Sequence, residues 1–430
     1  MNLIIKPSSL IQGEIFLPAS KSYSIRGFII AACGGLSKII NPSNSDDVKV
    51  SMTIARALGA KIYPLGNNIY QVMAGRNPLR LSKINVKESG TVLRLLLPLL
   101  SLKQKRSLVI GEGTLKGRPN RHLTSTLRKM GIDIRGSGQQ ESVPIVLDGG
   151  SLKGGTIIID GSLSSQFISA LLIACPQLRE DSRVKITGEK IVSVDYITMT
   201  KQVLELSGVH ITEVNQRLYL IKGKQRFHGL KNFIVPADYG LAAFFMAAAA
   251  LIKSDVILRG NLDENFIQAD GAICSILHKM GVRFQKTNQF IRIQGAYLLK
   301  AQEFSLKDCP DLMPIITVLA LFAQGKTRIF DIGHVRAKES DRISALKKEL
   351  GKVGAKIIEA PNEIIVHPQR NYKSGVILEP HRDHRLAMAF SILGLKIGVC
   401  VQDIECTAKS YPGFVRDLKR LKGVSIKNQN

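Results

Sequence analysis

The sequence predicts a mixed α/β protein of two lobes, each built from three copies of one strand-and-helix unit. Three observations carry this expectation. The chain has 430 residues, more than one hydrophobic core ordinarily serves, so two domains are expected. A short motif recurs six times along the chain. The segments after most copies alternate apolar and polar residues around a polar turn, the pattern of paired strands.

The recurring motif is a glycine, then Val, Ile or Ala, one further residue, then Ile or Phe. Its copies are Gly59-Ala60-Lys61-Ile62, Gly131-Ile132-Asp133-Ile134, Gly208-Val209-His210-Ile211, Gly281-Val282-Arg283-Phe284, Gly354-Ala355-Lys356-Ile357 and Gly423-Val424-Ser425-Ile426. They lie about 70 to 77 residues apart, and such regular self-similarity marks a repeated structural unit. Each glycine stands where a helix would end in a left-handed residue. Basic residues precede several of them, at Arg128, Lys129, Lys279, Lys347 and Lys348, as the helix dipole favours.

The hairpins follow from the same copies. After Gly208, Val209-His210-Ile211 is expected to face Leu218-Tyr219-Leu220-Ile221. After Gly281, Val282-Arg283-Phe284 is expected to face Phe290-Ile291-Arg292-Ile293. After Gly354, Ala355-Lys356-Ile357 is expected to face Ile364-Ile365-Val366. Any one glycine would pass as an ordinary helix stop, but six near-even copies would not.

Composition narrows the class. The longest apolar run, residues 241–252, is too short to span a bilayer. The first residues, Met1 to Lys6, lack the basic stretch that opens a signal peptide. The cysteines Cys33, Cys175, Cys274, Cys309, Cys400 and Cys406 are scattered without a CxxC pair. That spacing argues against a zinc cluster or disulfide framework and fits a reducing cytoplasm. A formal net charge of +26 attracts anions. Nucleic-acid binders usually gather such charge in blocks beside stacking aromatics. Here the longest basic cluster, Lys103-Gln104-Lys105-Arg106, is short, and tryptophan is absent. Most of the charge is therefore read as solvated surface, with a minority focused on small anionic ligands.

Polar motifs open apolar helices at several points. Leu17-Pro18-Ala19-Ser20-Lys21-Ser22-Tyr23-Ser24-Ile25-Arg26 precedes an apolar stretch at 27–33, placing cationic and hydroxyl donors beside free helix N–H groups. It lacks the glycines of a Walker loop, and alone it reads as Ser20 capping a helix with Lys21 in solvent. Glu88-Ser89-Gly90-Thr91-Val92-Leu93-Arg94 exposes backbone amides at a second helix start. Leu115-Lys116-Gly117-Arg118-Pro119 is a basic loop before a third. Gly161-Ser162-Leu163-Ser164-Ser165-Gln166-Phe167 offers uncharged donors for phosphate oxygens and also reads as a capping box with Gln166 as its return partner, two roles that can coexist. Ser193-Val194-Asp195-Tyr196 is another polar helix start.

The second half holds the acid–base candidates. Asp311 sits between prolines in Cys309-Pro310-Asp311-Leu312-Met313-Pro314. In Arg336-Ala337-Lys338-Glu339-Ser340-Asp341-Arg342, six of the seven residues are polar or charged. A solvated helix start explains that stretch about as well as a site does. Asp383-His384-Arg385 opens an apolar helix, and Cys406-Thr407-Ala408-Lys409-Ser410-Tyr411-Pro412 places a lysine in a loop before the last helix.

Taken in order, LPASKSYSIR, SGTVLR, SLSSQF, KESDR, DHRLAM and CTAKSYPGF resemble the enolpyruvyl transferases, and within them the branch acting on a phosphorylated shikimate. Each piece is weak alone, but the ordered set covers nearly the whole chain. The resemblance implies an inside-out, barrel-like α/β fold: two lobes of three βαβαββ units, residues 1–20 with 236–430 and residues 21–235, and an active site in the cleft between them. It also implies a carboxyvinyltransferase of chorismate and aromatic amino-acid biosynthesis, cytoplasmic and monomeric, without metal or organic cofactor. Such an enzyme moves the enolpyruvyl group of phosphoenolpyruvate to the 5-hydroxyl of 3-phosphoshikimate. The sister activity on UDP-N-acetylglucosamine is the nearest rival. Its basic loop normally carries a reactive cysteine, and none of the six cysteines lies in Lys116-Gly117-Arg118-Pro119-Asn120-Arg121. RNA 3′-phosphate cyclases share a related unit but not the six motifs. A non-enzymatic nucleic-acid binder is the alternative from another class, testable by salt-dependent retention.

By the same resemblance, Lys21, Gly90, Arg118, Gln166, Arg342, Arg385 and Lys409 hold phosphoenolpyruvate. Ser22 and Arg26 take the shikimate carboxylate. Ser164, Ser165, Ser193 and Lys338 take its 3-phosphate, with Lys21, Gln166 and Asp311 also in contact, and Tyr196 lines the ring. Asp311 is the implied base, and Glu339, with Lys21, the implied proton donor. The resemblance further implies inhibition by glyphosate in competition with phosphoenolpyruvate, with Gly90 deciding how closely that ligand fits. Two residues depart from the family pattern, which often has Asn at both places: His334, at a position touching the ring hydroxyls, and Glu88. Their roles stay open at this point.

Overall fold

The computed structural model describes residues 1–75, 83–102 and 106–429. Residues 103–105 of the basic cluster at 103–106 lie outside them. Two compact units divide the chain: Met1–Ala19, Asn44–Asp46 and Pro236–Asn430 form the first, and Ser20–Ser43 with Asp47–Val235 the second. No helix among the described residues is long and apolar enough to cross a membrane.

Among the described residues each unit contains three four-stranded sheets, and all six sheets share one plan. Lys83–Asn85 lies parallel to Ser107–Ile110, which pairs antiparallel with Ser142–Gly150, which in turn pairs with Ile132–Ser137. Gly155–Asp160, Ser182–Thr187, Leu218–Ile221 and Ile211–Asn215 repeat the plan. So do Glu303–Ser305, Thr327–Phe330, Glu363–His367 and Lys356–Ala360. Two sheets of the first unit draw on the chain's start, because Asn2–Ile5 pairs with Val399–Val401 and Leu10–Phe16 lies parallel to Lys253–Arg259. In the second unit, Phe233–Ile234 returns to lie beside Leu36–Ile40. Among the described residues the sheets are separate, and none closes into a barrel.

A parallel strand pair needs a crossover, and in four of the sheets it is a single apolar helix, while in the other two such a helix directly precedes the second strand of the pair, Leu36–Ile40 or Lys253–Arg259. The six helices are Lys21–Ala31, Gly90–Ser101, Ser165–Ala174, Tyr239–Leu251, Met313–Ala320 and His384–Ile397. Every residue of Tyr239–Leu251 and of Met313–Ala320 is buried. A helix that is apolar on all sides must lie inside the protein, so these helices form the cores and pack on one another within each unit. The second helix of each repeat is amphipathic instead. Arg121–Lys129 buries Leu123 and Leu127 and leaves its charged residues outside.

All six repeat glycines adopt left-handed backbone, at φ 106° for Gly59, 100° for Gly131, 82° for Gly208, 92° for Gly281, 91° for Gly354 and 86° for Gly423. A Cβ is strained there, which is why the motif keeps glycine. Two expected registers need correcting. Val282-Arg283-Phe284 is not in a strand, and the partner of Phe290–Ile293 is Gln285–Lys286. After Gly208 the strand begins only at Ile211. Val282 and Val209 are buried in the turn after the helix, so their apolar character reflects packing rather than pairing.

Candidate active site

The polar motifs fall where the buried helices begin. Ser20, Ser89, Ser164, Asp238 and Asp383 cap five of the six, each accepting a backbone N–H through its side chain. A helix start offers unpaired N–H groups and the positive end of the dipole, a natural place for anions. The fold thereby brings distant motifs to one end of the core in each unit.

In the second unit, Arg94 joins three motifs. Its guanidinium donates to Asn120 Oδ1 at 3.3 Å, Ser164 Oγ at 3.3 Å, Gln166 Oε1 at 2.8 Å and the Pro119 carbonyl at 2.9 Å. It lies 4.9 Å from the centre of the Phe167 ring, a cation–π contact. Gln166 Nε2 donates to Thr91 Oγ1 at 3.0 Å. The Gln166 side chain therefore does not return to the cap, and the capping-box reading gives way to a cross-helix bridge. The Ser164 hydroxyl still accepts from the Gln166 N–H.

Gly90 lies against the Arg118 guanidinium. A Cβ built on Gly90 would stand 2.7 Å from Arg118 NH1, closer than real contacts allow. Lys21 Nζ pairs with Asp47 at 3.2 Å, both side chains being largely buried. Arg26, buried, bonds Thr200 Oγ1 at 2.7 Å, the Ser22 carbonyl and the Tyr196 carbonyl. Burial pulls its guanidinium down to about 10. The Tyr196 ring centre lies 5.9 Å from Arg26 Cζ. Ser165, buried, is the first residue of its helix. Ser193 precedes Val194–Leu206 in left-handed backbone at φ 57°, a strained conformation for serine. Such strain tends to gather at functional sites.

Glu88, one of the open departures, accepts from the Thr114 N–H at 3.3 Å and from Thr114 Oγ1 at 3.1 Å. Its charge is thus engaged by the neighbouring loop.

The first unit gathers Asp311, His334, Lys338, Glu339, Arg342, Arg385 and Lys409, and adds Asp383 and Asp270. Arg342, 1% exposed, is gripped by three carboxylates: Asp383 at 2.7 Å, Asp311 at 2.8 Å and Glu339 at 3.2 Å. Burial would lower this guanidinium, but the three carboxylates outweigh it and hold it well above its ordinary value. Arg385 reaches Asp311 at 3.2 Å and donates to the Gly240 carbonyl at 2.8 Å. Lys338 lies 3.6 Å from Asp311, and Lys409 lies 3.6 Å from Glu339. Burial alone would raise the Asp311 carboxyl. Lys338, Arg385 and Arg342 reverse that and hold it well below the usual carboxylate range.

His334 is buried beside this group, with no hydrogen-bond partner for Nε2 among the described residues. Burial, and then the charge of Lys338, push it down to about 3, so it is neutral at ordinary pH. Asp383 holds this corner together: besides Arg342 it accepts from the Arg385 N–H at 2.9 Å and from Ser340 Oγ at 3.2 Å.

The sequence motifs imply no role for Arg94, Asp47, Asp383 or Asp270. Arg94 and Asp383 nonetheless stand inside two of those motifs, which is the signal that points to them. Asp47 and Asp270 stand in no motif, and only the fold places them.

The chemistry of the two sets suits multiply anionic ligands. The sequence profile of the EPSP synthase (3-phosphoshikimate 1-carboxyvinyltransferase) family matches residues 5–418. The chain is 35% identical to the 3-phosphoshikimate 1-carboxyvinyltransferase of Methanosarcina acetivorans, covering 99% of both chains. It is 34% identical to the enzyme of the same name from Sulfurovum sp. strain NBC37-1, over 98% of this chain and 99% of that one. Its fold matches a solved EPSP synthase from Acinetobacter baumannii, with a TM-score of 0.79 and 24% identity over 99% of this chain and all of that one. From the ordered motifs, the six repeated units and these full-length matches, the chain belongs to the EPSP synthase family.

Proposed function

We propose that this protein transfers the enolpyruvyl group of phosphoenolpyruvate to the 5-hydroxyl of 3-phosphoshikimate, releasing phosphate, and that its two residue sets act on that one substrate pair. The observation that carries the reading is the family match along nearly the whole chain, with motif residues at the starts of the buried helices of both units.

In the addition step, the 5-hydroxyl oxygen attacks C2 of phosphoenolpyruvate while a proton reaches its methylene carbon. In the elimination step, that carbon gives up a proton and the C2–O bond to phosphate breaks. Asp311 suits the base on the hydroxyl. Held ionised by three cations, it is a weak base in the free protein. An anionic substrate that engages Arg342 and Arg385 would loosen their grip and raise its basicity. Glu339, between Arg342 and Lys409, suits the proton donor to the methylene carbon, and Lys21 the second candidate for that role.

Arg118, Arg342 and Arg385 can make paired contacts to phosphate and carboxylate, as the guanidinium geometry favours. Lys21, Lys409, Gln166 and the backbone at Gly90 complete the proposed phosphoenolpyruvate set. Ser22 and Arg26 would receive the shikimate carboxylate. Ser164, Ser165, Ser193 and Lys338 would receive the 3-phosphate, with Tyr196 and His334 beside the ring. We place this chemistry in the cytoplasm, in a monomer.

Phosphate release with phosphoenolpyruvate, comparing 3-phosphoshikimate and UDP-N-acetylglucosamine as acceptors, tests the reading. Release with the first acceptor alone is expected. Release only with the second would replace this activity with that of the sister enzymes.

A further inference from the structure

Asp270 lies in the short turn Ala269–Gly271 before the helix Ala272–Lys279, and its side chain is only 6% exposed. No motif of the sequence contains it. Its Oδ2 lies 3.7 Å from Arg385 NH2, and the same nitrogen lies 3.2 Å from Asp311 Oδ2. One terminal nitrogen of Arg385 is thus shared by two carboxylates, while the other terminal nitrogen bonds the Gly240 carbonyl at 2.8 Å. The first turn of Tyr239–Leu251 closes this cradle. A Cβ on Gly240 would stand 2.2 Å from Asp270 Oδ2 and 2.7 Å from Arg385 NH1. An added methyl there would push the carboxylate and guanidinium out of their present places.

We infer that Asp270 is a positioning residue, fixing the Arg385 guanidinium for phosphoenolpyruvate when Asp311 leaves it to serve as base. The inference rests on the reading under Proposed function, which assigns Arg385 to phosphoenolpyruvate and Asp311 to the hydroxyl. If Arg385 had only Asp311 and a carbonyl as anchors, engaging substrate would cost it its main charge partner. Asp270 supplies a second anchor from a different element, one that takes no part in the chemistry.

The charged groups facing Asp270 are Arg385, Asp311, Asp238 and Lys338. Burial raises its carboxyl to about 7, Arg385 opposing and Asp311 and Asp238 adding to the rise. Above that pH the carboxylate is charged and grips Arg385. Below it, the protonated group grips less.

The test is steady-state kinetics of Asp270→Asn beside wild type, with each substrate varied in turn. The variant keeps the shape and removes the charge. A misplaced binding group costs one to two orders of magnitude, so KM for phosphoenolpyruvate should rise about tenfold, while KM for 3-phosphoshikimate should change less than about twofold. The wild-type advantage in kcat/KM for phosphoenolpyruvate should grow as pH rises through about 7. The substrates' own phosphates titrate equally in both proteins and cancel in that ratio. Gly240→Ala, which crowds the same contact without touching the charge, should raise the same KM and serves if Asp270→Asn folds poorly. Equal rises in both KM values, or a ratio flat across pH, would overturn the inference while leaving the activity intact. Absence of turnover in wild type would overturn the activity, and this inference with it.

Discussion

The two units share one architecture and differ in the electrostatics of their helix starts. In the second unit, Lys21, Arg26, Arg94 and Arg118 stand among serines, a glutamine and backbone donors, and Lys21 pairs with Asp47. In the first unit, Lys338, Arg342, Arg385 and Lys409 are interleaved with Asp270, Asp311, Glu339 and Asp383. The first arrangement carries excess positive charge and many hydroxyls, which suits holding phosphate and carboxylate groups. The second is nearly balanced, so an incoming anion must compete with carboxylates already in place. Of these carboxylates, Asp311 and Glu339 are the ones proposed above to move protons once displaced. On that reading, both units would bind substrate, and the two carboxylates proposed for proton transfer stand in the first.

The largest effect expected from this division falls on the first unit. Asp311→Asn and Glu339→Gln keep size and hydrogen-bonding shape. Loss of a general acid or base typically costs about 10²- to 10⁴-fold, so kcat should fall by that order while 3-phosphoshikimate still binds. Wild-type turnover in either variant would remove that carboxylate from its role.

The second unit should respond differently. Arg94→Lys keeps the charge but loses the fork that reaches Asn120, Ser164, Gln166 and the Pro119 carbonyl. Misplacing those groups should raise KM for both substrates about tenfold with a smaller change in kcat. Leaving buried acceptors unmet should also cost about 1–3 kcal/mol in denaturant unfolding. A pure kcat effect with unchanged KM would blur the line between the halves.

Gly90→Ala probes the same half more gently. The added methyl would press on Arg118, and a methyl in a packed site is felt. Glyphosate is longer than phosphoenolpyruvate, so its inhibition constant should weaken several-fold more than KM for phosphoenolpyruvate rises. Equal loss for both ligands would make Gly90 only a turn residue.

The smallest effect concerns His334. Its folded value of about 3 lies below the ordinary value of about 6.5. Between those values the unfolded chain binds the proton and the folded one does not, so stability through this residue falls as pH drops from about 6.5 toward 3. His334→Asn should therefore lose less stability than wild type over that range, and its activity profile above pH 7 should match. Identical acid unfolding curves would show that His334 is not held neutral.

Much of the fold was legible because its causes are local. A left-handed helix stop needs glycine, and a buried crossover helix needs an unbroken apolar run, so both leave marks at fixed intervals. The strand registers after Gly208 and Gly281 were less legible, because Val209 and Val282 are apolar for packing and look like strand residues. The site was legible where a motif carried it. Its ion pairs were not, because Asp270 and Asp311 meet on Arg385 from segments far apart in sequence. Pairing of that kind depends on which helix starts the fold gathers, and no local pattern encodes it.

The division of labour between the halves is tested most directly by calorimetric binding of 3-phosphoshikimate to wild type, Asp311→Asn and Arg94→Lys. The account predicts that Asp311→Asn binds within about threefold of wild type, as expected for a group whose loss affects mainly the chemical step. Arg94→Lys should bind about tenfold more weakly. Loss of binding in Asp311→Asn with retention in Arg94→Lys would contradict it.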